Sequence, residues 1–98
     1  MNLTSSDDLV VHFSFKNNKD KQRFFAERLQ LKFLSLVEEE MEQRNISKKH
    51  LADKLRVSKS YVSQIFAADA LLNVKTLGKI EDMLGIQFDV SINTKFDD

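Results

Sequence analysis

A chain of 98 residues holds one domain and leaves no room for a second independent core. Its apolar fraction of 42% allows one modest core, and its charged fraction of 31% asks for helices with well-solvated outer faces. Cysteine is absent, which excludes disulfides and thiolate metal sites, and no apolar run approaches a membrane span or a signal-peptide core; a soluble cytoplasmic protein is expected.

The formal net charge is zero, but the charge is unevenly placed. Residues 47–64 carry Lys48, Lys49, Lys54, Arg56 and Lys59 against Asp53 alone, a local balance of +4. Just upstream, Glu38, Glu39, Glu40 and Glu42 form an acidic block. Phosphate binding depends on the potential of one surface, not on the sum over the molecule. Two solvated helix faces would show the same clusters, and composition alone does not separate the two readings.

In chain order, residues 1–8 are polar and read as a loose terminus. Residues 9–15 alternate with Val11, Phe13 and Phe15 on one side, the period of a strand. Asn17, Asn18 and Asp20 supply turn chemistry and a candidate cap. From 20 to 44 the period becomes helical. Phe25, Leu29, Phe33, Leu36, Val37 and Met41 form one apolar stripe, and Phe24, Leu31 and Leu34 a second, shorter one. Such a helix spans roughly 36 Å, longer than a bundle of this size needs. The second stripe therefore calls for a cover, either the terminal strands or another subunit.

Asn45 and Ile46 break this helix, and Ser47 is placed to cap another over 48–55, with Leu51, Ala52 and Leu55 inward. Arg56 and Val57 make a very short connection. Ser58 caps the next helix, from 59 to about 67, with Val62, Ile65 and Phe66 inward. After a linker over 69–72, Asn73 caps a last helix over 74–84, buried through Val74, Leu77, Ile80 and Leu84. Gly85 suits the left-handed position that closes a helix. Residues 88–92 alternate again, with Phe88, Val90 and Ile92 on one face, and 93–98 should fray. A lone strand leaves its backbone groups unpaired, so the two end strands should pair, with each other or with their copies in a second subunit.

Two short serine-capped helices, separated by two or three residues, must cross steeply, and the second then projects from the surface. The major groove of B-DNA admits one such helix. Here the outer face of the second helix is Lys59, Ser60, Ser63 and Gln64, flanked by Tyr61, with no acidic side chain among them. Glutamine can bond adenine bidentately, lysine can donate to guanine, and serine can bond base or phosphate.

Residues 46–65 resemble the helix-turn-helix of the lambda-repressor-like (Cro/C1, Xre) group, through Leu51-Ala52, Leu55, Val57-Ser58, Tyr61-Val62-Ser63 and Ile65. Thr76-Leu77 and Leu84-Gly85-Ile86 are similar to the group's next helix. The likeness covers roughly 29–86 and leaves both alternating ends outside. It implies a mainly α fold, a lambda-repressor-like bundle of four helices; the chain length makes this a single domain over 1–98, and the alternating ends add short terminal β-strands. It places Lys59, Ser60 and Gln64 at base-reading positions with Ser63 beside them, and Lys48 and Tyr61 at phosphate. Arg56 is either a tolerated turn residue or a phosphate contact. Three departures stand out. Arg56 occupies a position usually held by glycine, Lys48 one commonly held by glutamine, and Phe66-Ala67-Ala68 replaces an acidic residue, a polar residue and glycine, an apolar exit able to lengthen the helix.

The resemblance implies a sequence-specific transcriptional regulator, a repressor or antitoxin-type autoregulator, bound to double-stranded DNA as a homodimer. A toxin is the protein partner such an antitoxin would hold, through its terminal extensions. The competing expectation is a protein-interaction module that keeps the scaffold without reading DNA; the zero net charge, the second apolar stripe and the strand-like ends favour it. Enzymatic chemistry is not expected. The only glycines are Gly78 and Gly85, too few for a phosphate loop, and neither a cysteine nucleophile nor a carboxylate pair in a pocket is present. No cofactor or metal is expected, and His12 and His50 read as surface histidines.

Overall fold

The computed structural model describes residues 16–94, which form four helices: α1 (Asn18–Gln43), α2 (Lys48–Leu55), α3 (Lys59–Phe66) and α4 (Val74–Leu84). The strand expected over 9–15 lies outside the described residues.

All four helices begin alike. Asn17, Ser47, Ser58 and Asn73 are extended residues whose side-chain oxygens accept the amides of Asp20, His50, Tyr61 and Thr76, at 2.9, 3.0, 3.0 and 2.8 Å. Each cap satisfies one of the free donors at a helix start. They also end alike. Asn45, Arg56, Ala68 and Gly85 are left-handed, with φ of 57°, 60°, 61° and 63°. The amide after each returns to a carbonyl five residues earlier: Ile46 to Met41, Val57 to Ala52, Asp69 to Gln64 and Ile86 to Glu81, at 2.8, 3.0, 2.8 and 3.1 Å. This is the Schellman closure. It turns Ile46, Val57 and Ile86 back against the core. The apolar exit of α3 does not lengthen the helix, because Ala68 takes the left-handed turn and stops it.

The core gathers Leu34, Val37 and Met41 of α1, Leu51, Ala52 and Leu55 of α2, Val62 and Ile65 of α3, and Ile80 and Leu84 of α4. The apolar stripe read on α1 is displaced from the face that is buried. Leu29 and Leu36 are 56% and 52% exposed, whereas Leu34, assigned to the second stripe, is in the core. The buried face runs Gln30, Leu34, Val37, Met41. Leu29 and Leu36 each sit about 100° round the helix from a member of that face. Val74 is likewise exposed, at 82%. It lies about 120° round α4 from Ile80; Ile80 and Leu84 join the core, Met83 packs against it, and Leu77 is half-buried.

Residues 88–92 carry no strand pairing among the described residues. A strand needs a partner edge, and the other alternating segment lies outside the described part. Phe88 does point inward. Its amide donates to Glu81 Oε2 at 2.7 Å, and its ring meets Phe33 edge-on, with centroids 5.2 Å apart. Val90 and Ile92 are exposed.

Candidate nucleic-acid interface

The turn between α2 and α3 is three residues long, and its geometry is set locally. Arg56 reverses the chain in left-handed backbone, Val57 returns its amide to Ala52, and Ser58 starts α3. Because α3 buries Val62 and Ile65, its opposite side carries Lys59, Ser60, Ser63 and Gln64, all four exposed. The residues expected to read bases are thus brought onto one face. Gln64 Nε2 donates to Ser60 Oγ, one turn back, at 3.4 Å. No acidic residue occurs in α3, so the helix itself brings no negative charge to this face.

The residues expected at phosphate do not form one cluster. Tyr61 is half-buried and packs against the core. Lys48 and Arg56 flank the two ends of α2, about 12 Å apart along its axis. Arg56 is exposed beside Lys54, Lys79 and Asp82, in a shallow recess of about 190 Å³ between α2 and α4. Lys48 is half-buried, with its ammonium 4.9 Å from the centre of the Phe66 ring.

The far end of α3 is fixed by a residue that sequence reasoning missed. Gln30 of α1 is 5% exposed, and its amide group is fully used. Its Nε2 donates to the carbonyls of Ile65 and Ala70, at 2.8 and 2.9 Å, and its Oε1 accepts the amide of Leu72 at 2.7 Å. One side chain therefore joins α1, the C-terminal turn of α3 and the linker to α4. The available signal was its spacing, four residues before Leu34 and seven before Val37, on the face that proved to be the core. A second tie holds α4. Arg44, at the end of α1, donates to the Leu84 carbonyl and pairs with Glu40 at 3.1 Å. Among the described residues, no buried side-chain nitrogen or oxygen lacks a partner.

An open apolar groove of about 560 Å³ has no α3 residue in its lining and is walled in part by Leu29, Phe33, Leu71, Val74, Leu77 and Val90. Among the described residues, no group of three or more His, Cys, Asp or Glu is arranged to hold a metal ion, and His50 is exposed. His12 lies outside the described residues. No described helix is long and apolar enough to cross a membrane.

A helix-turn-helix family model matches residues 37–90, more than half of the chain. The match begins eight residues later than the expected 29 and runs past 86 to take in Phe88. It leaves the first nineteen residues of α1 outside. No curated protein and no solved structure matches the chain. Serine-capped α2 and α3, the short turn between them and the matched span agree with one another, and the chain belongs to the helix-turn-helix family of Cro/C1 (Xre, lambda-repressor-like) type, a family of DNA-binding regulators.

Proposed function

We propose that the chain is a sequence-specific transcriptional regulator, a repressor or antitoxin-type autoregulator, acting on double-stranded DNA as a homodimer. The observation that carries this reading is the outer face of α3: Lys59, Ser60, Ser63 and Gln64, exposed together and without an acidic neighbour in the helix. In the major groove, Gln64 would pair with adenine, Lys59 would donate to guanine, and Ser60 and Ser63 would reach base edges or phosphate. Lys48, Tyr61 and Arg56 would contact the backbone on either side and set the register.

An eight-residue reading helix covers few base pairs. Two copies related by a two-fold axis would double the footprint, on half-sites about 34 Å apart. The apolar groove beside α1 supports protein contact and would serve a second copy or a partner such as a toxin. The same groove, with the zero net charge, favours the second reading, a protein-interaction module on this scaffold.

A mobility-shift selection with genomic fragments separates the two readings. The expected result is a discrete band enriched for one sequence, weakening steeply as salt is raised. Folded protein that retains no fragment at low salt would leave only the interaction module standing.

A further inference from the structure

Lys48 opens α2, where the free amides of the helix start make the local potential positive and a cation is disfavoured. No acidic residue stands in that first turn to offset it. The ammonium instead lies 4.9 Å from the centre of the Phe66 ring, inside the roughly 6 Å over which an aromatic face attracts a cation. Both residues are half-buried, so water screens the contact only in part. Phe66 is the last residue of α3, and the segment after it is held by the Ala68 turn and by Gln30. The Phe66 side chain also packs against the core, so the ring is backed on one side by buried residues. It offers no lone-pair acceptor, so the ammonium keeps its N–H donors for an anion. Both partners are positions at which this chain departs from the pattern it otherwise resembles.

We infer that Phe66 is a positioning residue for DNA binding, its ring holding the Lys48 ammonium at the start of α2 in place for a backbone phosphate. A lysine gripping phosphate loses side-chain freedom, and one already held against a ring loses less. Phe66 itself touches no nucleic acid. The inference rests on the DNA-binding reading of α3 and adds the part that Phe66 plays in it.

A double-mutant cycle on the full chain, read as affinity for a selected duplex and for unrelated duplexes, tests it. Phe66→Leu should weaken binding to every sequence alike, by roughly two- to fivefold, and leave base preference unchanged. Phe66→Tyr, which keeps a ring face, should bind as the parent does. In a Lys48→Met background, Phe66→Leu should cost nothing further. Additive losses, or a silent Phe66→Leu, would overturn the inference while the DNA-binding reading stands. If the parent chain retains no DNA at low salt, both fall. A readout independent of DNA and of the Leu variant's folding is the ring-current shift of the Lys48 ε-methylene protons by NMR. It should move upfield in the parent and in Phe66→Tyr; an unshifted signal in the parent overturns the contact.

Discussion

Left-handed backbone at Asn45, Arg56, Ala68 and Gly85 closes the four helices, and in three of these residues a Cβ stands where glycine would relieve the crowding. Asparagine tolerates this region better than most residues. Arginine and alanine have no such help. Ala68→Gly should therefore raise stability by about 0.5–1 kcal/mol, the left-handed penalty less the extra freedom glycine gains when unfolded. The urea midpoint measures it, and base preference should not move. Arg56→Gly should bring a similar gain in stability but weaken binding to all DNA sequences, lowering the salt slope by about 0.9 if its guanidinium neutralises one phosphate. Opposite signs in the two assays would separate a phosphate contact from a tolerated turn residue. On the reading face, Gln64→Ala should relax preference at one base position by about 1–3 kcal/mol, measured by competition among duplexes that differ at that position. A uniform loss across all duplexes would assign Gln64 to the backbone instead.

At the scale of the element, the decisive fact is how α1 takes hold of α3. Gln30 lies on the core face but is polar, so a count of apolar residues skips it and moves the apparent stripe toward Leu29 and Leu36. Its burial is tolerated because both donors and the acceptor are used, on partners 35, 40 and 42 residues away. Gln30→Leu fits the apolar surroundings but strips the Ala70 carbonyl and the Leu72 amide of their partner, while the Ile65 carbonyl keeps the Ala68 amide. A loss of about 2–4 kcal/mol is expected, roughly a third of the stability of a domain of this size. Chemical denaturation measures it, and a change under about 0.5 kcal/mol would mean that water replaces the glutamine.

At the scale of the whole molecule, α1 runs about 39 Å and accounts for most of the 44 Å long dimension. Its first nineteen residues precede the family match. That part of α1, the linker, α4 and the chain after it border the open apolar groove, where Leu29, Leu71, Val74 and Val90 meet solvent. If the groove is a dimer surface, sedimentation at micromolar concentration should give twice the 11.4 kDa mass. Val74→Glu should then shift the population toward that monomer mass without loss of helical signal, since Val74 takes no part in the core. A monomer under conditions where DNA is bound would exclude the homodimer.

The sequence by itself determined the four helices, their serine and asparagine caps, the short turn around Arg56 and the family, because each rests on interactions within about five residues of the chain. Residues 46–66 were legible for this reason, and so was the separation of Val62 and Ile65 from Ser60, Ser63 and Gln64, which the helical period dictates. Only the tertiary structure decided which face of α1 is buried, that Gln30 anchors the end of α3, that Lys48 rests on Phe66 and that Val74 stays outside. Each of these depends on residues distant in the chain. Periodicity reports that a helix has an apolar side, but the angle at which its neighbours meet it selects the residues that are covered.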